Sequence, residues 1–167
     1  MKPFLVFLFL AQNVLMAQTV HLTGCPENLN KEKIIILKHE PIKITANPND
    51  SKAQKYVFER QMTHNRVIKE ANRELTVAAM KYPFNYGLAT QSTYLNLAKA
   101  GYKFVLISQV YKNEYLNTHP GDQELIVFEY FIYDLEYDIA YKVFELDENK
   151  VYDSKLLIRK LNNCLLY

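Results

Sequence analysis

The apolar positions of this chain switch between two periods, and the switches mark its elements. Glu32-Lys33-Ile34-Ile35-Ile36-Leu37-Lys38 is a β-branched run bounded by charges and predicts a strand. Ile42-Lys43-Ile44 alternates after Pro41 and predicts a second strand near a sheet edge, because proline withholds a ladder donor. Asn47-Pro48-Asn49-Asp50 is a turn cluster, and Ser51-Lys52-Ala53-Gln54 matches the capping box that opens a helix. From there Val57, His64, Val67, Ile68, Ala71, Leu75, Ala78 and Tyr82 recur at spacings of three, four and seven, with Lys, Arg, Glu and Asn between them. That pattern predicts one long amphipathic helix ending before Pro83.

Pro83 to Tyr86 reads as a brief strand, and Thr90 to Ala100 as a second helix closed by Gly101, since glycine best tolerates the left-handed position after a helix end. The strand Tyr102 to Tyr111 is apolar on both faces over its middle, which predicts a central place in the sheet. His119-Pro120-Gly121-Asp122 is a turn signal. Leu125 to Asp134 and Ile139 to Leu146 predict two further strands, joined as a hairpin by Leu135-Glu136-Tyr137-Asp138. Asp153 caps a last helix in which Leu157, Leu161 and Leu165 share a stripe. The fold class is therefore α/β of the α+β type: a mixed, mainly antiparallel sheet of about five strands, a long helix across one face and a C-terminal helix. The late strands carry apolar residues on both sides, so either the last helix or a partner has to cover the second face.

The N-terminus follows a different rule. Met1-Lys2-Pro3 gives one positive charge, Phe4 to Leu10 is an unbroken apolar run, and Met16-Ala17 leads into polar Gln18-Thr19. Residues 1–17 are thus expected to be a secretory signal peptide, 18–31 an N-terminal segment, and 32–167 a single α/β domain. Gln12 and Asn13 interrupt the apolar stretch before it reaches the roughly 18 residues of a membrane-spanning helix, and none is expected in the mature chain. The formal charge is +2 with lysines and arginines dispersed along the chain, so nothing favours a nucleic-acid partner.

Two cysteines, Cys25 and Cys164, lie near opposite ends of the mature chain. An exported chain can keep them as a disulfide. Leu22-Thr23-Gly24-Cys25 also resembles the lipobox of bacterial lipoproteins, in which the cysteine is lipidated and anchors the protein. Two unpaired thiols are the third alternative.

At Ala100-Gly101-Tyr102-Lys103-Phe104-Val105-Leu106, a helix end running into a strand, and at the pair of long strands after it, the chain resembles a cell-envelope domain. That domain is shared by the curli-secretion lipoprotein, the penicillin-binding-protein activator lipoproteins and the N-terminal domain of the Tol-system propeller protein. The similarity spans about residues 32–146 and assigns no functional residue. Met16-Ala17-Gln18 is also similar to the junction of many exported proteins of Bacteroidota. The resemblance implies a non-catalytic scaffold or activator at the envelope.

Candidate chemistry is sparse. Asp134, Glu136 and Asp138 alternate in a turn, with Asp147 and Glu148 after the next strand, and oxygen ligands at that spacing could hold Ca²⁺. A solvated hairpin tip is the plainer explanation. His21, His39, His64 and His119 show no metal-ligand spacing, and His64 falls on the helix stripe as a core or boundary residue. No nucleophile elbow, phosphate-cradling loop or dinucleotide fingerprint occurs, and no cofactor is implied. Thirteen tyrosines stand out, and Tyr130, Tyr133, Tyr137 and Tyr141 gather in the late strands, where they suit strands and binding surfaces alike. Two functions are expected from different classes. One is a periplasmic or envelope interaction module meeting a protein partner or a second copy; the other is a small secreted hydrolase using the carboxylates at 134–138, with or without Ca²⁺.

Overall fold

The computed structural model describes residues 19–113 and 125–165, so the signal-peptide segment and the His119-Pro120-Gly121-Asp122 turn lie outside the described residues. Within them the elements run β1 (Val20–Thr23), β2 (Ile34–Lys38), α1 (Lys52–Ala79), β3 (Tyr86–Thr90), α2 (Tyr94–Lys99), β4 (Phe104–Asn113), β5 (Leu125–Asp134), β6 (Ile139–Asp147) and α3 (Ser154–Cys164). The capping serine acts as its position predicts: Ser51 Oγ accepts the Gln54 N–H at 3.1 Å, and α1 continues for 28 residues. Asp153 does the same for α3, accepting from the Leu156 N–H at 2.9 Å.

The six strands form one mixed sheet in the order β1-β6-β5-β4-β2-β3. The long ladders are antiparallel: β4 pairs β5 from Phe104↔Asp134 to Asn113↔Leu125, and β5 pairs β6 through the predicted hairpin. The remaining neighbours are parallel, with β2 between β3 and β4 and β1 beside β6. A register shift between Tyr130 and Phe131 leaves Val143 as a bulge on β6, which brings Phe144 opposite Tyr130. Those two rings stack with centroids 4.9 Å apart.

Alternation along the strands assigns the two faces. Ile34 and Ile36 of β2, Leu106 of β4 and Ile132 of β5 point to the face on which α1 and α3 pack together, meeting Leu75, Tyr82, Leu157 and Leu161. Ile35, Ala89 and Val105 point to the other face, where the short α2 lays Leu97 and Tyr94 over β2 and β3. Gly87 makes that approach feasible, since a Cβ there would stand 2.8 Å from Leu97 Cδ1. Gly101, at φ +84°, closes the helix in the left-handed conformation that its position predicts. Beyond the reach of α2 the second face carries Lys142 ion-paired with Glu129 and with Glu145. The last helix therefore shares a face with α1 and does not cover the opposite one.

Three segments depart from the sequence reading, one of them the strand expected over Pro83 to Tyr86, which starts only at Tyr86 and runs to Thr90. Ile42-Lys43-Ile44 is not a strand: residues 39–47 run as an irregular strap along α1. Pro41 weakens any ladder here, and amide side chains from α1 take the place of a neighbouring strand. Asn65 Oδ1 accepts from the Ile42 N–H at 2.9 Å while its Nδ2 donates to the Ile42 carbonyl at 2.8 Å. Gln61 Oε1 accepts from Thr45 and Ala46. Conversely, the N-terminal segment supplies β1, whose backbone pairs with β6 from Val20↔Ile139 to Thr23↔Lys142.

Directly after β1, Gly24 turns the chain at φ +107° and Cys25 bonds to Cys164 at the end of α3, with Cα atoms 5.6 Å apart. Of the three alternatives open to the cysteines, the structure has the disulfide, and it occupies the sulfur that a lipid anchor would need. Among the described residues no helix is long and apolar enough to cross a membrane.

Leu75 is 1 % exposed at the centre of the helix-covered face, whereas Glu70 is exposed and, among the described residues, engages only Arg73 one turn on. Leu75→Ala should therefore cost roughly 2 to 5 kcal/mol in a urea titration and Glu70→Ala under about 0.5. Equal costs would mean that the buried stripe of α1 is wrongly drawn. Because the disulfide joins residues 139 positions apart, replacing both cysteines by alanine should cost roughly 4 to 5 kcal/mol by the chain-entropy argument. A loss below about 1 kcal/mol would show that this cross-link does little to the unfolded chain.

Candidate binding site

The three carboxylates of the β5–β6 hairpin turn, Asp134, Glu136 and Asp138, are each occupied by contacts within the fold. Asp134 is buried, and its Oδ1 accepts from the N–H groups of Glu136 and Tyr137 at 2.8 and 3.0 Å, an Asx turn that shapes the hairpin. Glu136 pairs with Lys103 at 3.0 Å. Asp138, in the left-handed region at φ 57°, accepts from Tyr133 Oη and from Thr19 Oγ1. Among the described residues no group of three His, Cys, Asp or Glu side chains is placed to hold a metal ion.

The four tyrosines do not form one surface. Tyr130 is buried in the core, Tyr141 packs on the same helix-covered face, Tyr133 points to the opposite face, and Tyr137 is exposed at the hairpin tip. Strand parity separates Tyr130 from Tyr133, and the turn separates both from Tyr137.

A different place gathers polar groups. β2 and β4 are paired from Ile34↔Phe104 to Ile36↔Leu106; β2 then runs on beside β3 to Lys38 and ends, while β4 continues to Asn113. A crevice of about 180 Å³ opens where they part, floored by Ile36, Leu106 and Leu157 and rimmed by Lys38, His39, Gln91, Ser108 and Tyr130. His39 and Gln91 directly follow the carboxyl ends of the parallel strands β2 and β3. α1 leaves β2 toward one face and α2 leaves β3 toward the other, so the switch point of the sheet, where α/β folds place ligands, lies between β2 and β3 and adjoins the crevice at His39 and Gln91. Among the described residues, the side chains of Lys38, His39, Gln91, Ser108 and Tyr130 make no hydrogen bond or ion pair with the protein. Burial, with a smaller contribution from Tyr152, raises the Tyr130 hydroxyl far above the ordinary tyrosine range and keeps it a neutral donor. A larger groove of about 540 Å³ lies between the C-terminal end of α1, at Ala78 and Lys81, and the length of α3 from Asp153 to Asn163.

The strap fixes His39. Its backbone N–H donates to Asn72 Oδ1 and its carbonyl accepts from Asn72 Nδ2, each at 2.9 Å. Next to it His64 is bonded on both ring nitrogens, at 2.8 Å to Tyr152 Oη and to the Glu40 carbonyl. The boundary role expected for His64 therefore holds, with the addition that it ties strap to helix. The Glu40 carboxylate reaches across to the Ser92 hydroxyl, and that bond lowers its pKa.

Compared with family models, curated proteins and solved structures, the chain matches none.

The edge of β4 completes the site. The Lys103 carbonyl accepts from the Leu135 N–H just beyond the end of β5, while the Phe104 N–H donates to the Lys33 carbonyl on the β2 side. Alternation then turns the N–H and C=O of Ser108, Val110 and Lys112 away from β5, and no described strand pairs with them. Val110 is 58 % exposed. Sequence reading had seen the strand but not its missing neighbour. The available signal was the early end of the β2 apolar run against the greater length of 102–111.

His39 also sets a pH dependence. Burial, and then the neighbouring His64 ring, lower its pKa from 6.5 to about 4. The unfolded chain thus holds this proton more tightly than the folded one, so its contribution to stability is complete above pH 6.5 and is lost as pH falls toward 4. Relative to wild type, His39→Phe should flatten this decline by about 2 kcal/mol between pH 7 and pH 4, read from urea titrations at each pH. Parallel stability profiles for the two proteins would contradict it.

Proposed function

We propose that the chain is an exported, non-catalytic recognition module of the cell envelope that binds an extended segment of a protein partner as an added strand along β4. The observation that carries this reading is the edge of β4 beyond Leu106, a row of outward N–H and C=O groups bordered by a crevice of unpartnered polar side chains. Unpaired edges are templates for strand addition, in which main-chain bonds supply affinity and adjoining pockets supply selectivity. Export is supported by the signal-like N-terminus and by the Cys25–Cys164 disulfide, which persists in oxidising compartments. The resemblance to envelope activator and secretion domains points the same way. The hydrolase reading receives no such support, since Asp134, Glu136 and Asp138 are each committed to turn or ion-pair contacts.

Edge geometry provides a discriminating pair of variants. In Val110→Pro the lost N–H faces outward, so the β4–β5 ladder should survive with strand addition blocked; in Gln109→Pro the lost N–H belongs to that ladder. Heptapeptides selected from a random display library against the wild-type protein should bind Val110→Pro at least 10-fold more weakly. On binding, they should also slow amide exchange at Ser108 and Val110. Selected peptides that bind Val110→Pro as well as wild type would sink the reading. A concentration-dependent dimer in light scattering, abolished by Val110→Pro, would show that the added strand comes from a second copy.

A further inference from the structure

Resting on the strand-addition reading, the chemistry of the crevice specifies the incoming strand: we propose that it seats the carboxylate of an aspartate or glutamate side chain beside Lys38. Lys38 lies at the end of β2, on the side-chain parity of Ile34 and Ile36, and forms no ion pair with the described residues. Around it Ser108 and Tyr130 offer hydroxyl donors and Gln91 an amide donor, none of them bonded to the described protein. One cation with three neutral donors and an apolar floor of Ile36, Leu106 and Leu157 is a setting for an anionic acceptor. The nearest strap carboxylate cannot fill it, because Glu40 is held by the hydroxyl and N–H of Ser92. The volume of about 180 Å³ accommodates one acidic side chain and excludes a folded ligand.

Position explains why the occupant arrives on a strand. Ser108 both rims the crevice and directs its backbone N–H and C=O off the open edge of β4, so a strand lying there passes the crevice mouth. Charge selects the occupant: Lys38 forms no ion pair with the described residues, so the crevice mouth favours a strand that carries a negative side chain. An acidic extended peptide meets the same edge with opposite charge.

The test uses synthetic peptides Thr-Val-Thr-X-Thr-Val-Thr with X as Glu, Gln, Lys or Leu, titrated against the folded, disulfide-bonded protein by fluorescence anisotropy. The Glu peptide should bind about 10-fold more tightly than the Gln peptide and about 100-fold more tightly than the Lys peptide, with the Glu advantage shrinking at high salt. Lys38→Gln and Tyr130→Phe should reduce Glu binding to the level of Gln while leaving Gln binding unchanged, and circular dichroism verifies that both variants remain folded. If Glu and Gln peptides bind equally and Val110→Pro abolishes both, the carboxylate assignment is wrong and strand addition stands. If none of the four peptides binds, or if Val110→Pro has no effect on those that do, strand addition itself fails and the assignment falls with it.

Discussion

The reciprocal hydrogen bonds between the Asn72 side chain and the backbone of His39 determine where β2 stops. A carboxamide offers one donor and one acceptor at the spacing of a peptide unit, so it can replace the neighbour that a strand would need. Once His39 is held against α1, the chain cannot continue along β4, and the strap 39–47 follows the helix through Asn65 and Gln61. The open edge of β4 and the crevice beside it are the geometric remainder of that diversion. Losing Asn72 would free two backbone groups at once, and the cost of leaving them unpaired in a half-buried place holds the diversion in one register.

The rest of the architecture braces the sheet on which that edge lies. α1 and α3 share one face of the sheet, Arg60 and Tyr56 of α1 meet Glu148 in the turn before α3, and the disulfide ties α3 back to β1. β4 and β5 pair over their full length, so the free side of β4 belongs to a strand whose other side is fully satisfied. The second face is divided: α2 covers β2 and β3, and Lys142 with Glu129 and Glu145 makes the uncovered part polar, which explains how two-sided apolar strands stand in water there.

Several elements were legible because a repeating local pattern encodes them. The spacing of Ile68, Ala71, Leu75 and Ala78 places them on one helical stripe whatever the helix packs against, and Ser51 and Asp153 announce the helix starts through their own hydroxyl and carboxylate. The β5–β6 hairpin was equally visible, since long apolar strands flank a four-residue link that carries Glu136 and Asp138. Ile42-Lys43-Ile44 misled because alternation shows only that a segment is extended. The stripe of Gln61, Asn65 and Asn72 that supplies its partners has the same composition as any solvated helix face. β1 was hidden for the opposite reason: four residues, two of them the polar His21 and Thr23, become a strand only through register with β6.

The sequence by itself determined the helix stripes, the caps, the late hairpin and the α/β class, because these follow from periodicities that operate over a few neighbouring residues. It also presented Cys25 and Cys164 without choosing among their three uses. Their pairing, the sharing of one face by α1 and α3, and the burial of Tyr130 away from Tyr133 and Tyr137 were decided only by tertiary structure. So was the assembly of Lys38, His39, Gln91, Ser108 and Tyr130, which come from four separate strand ends and strand interiors. The physical reason is that each owes its place to where a neighbouring strand stops. That is a property of long-range pairing and of the Asn72 clamp, which no local pattern contains.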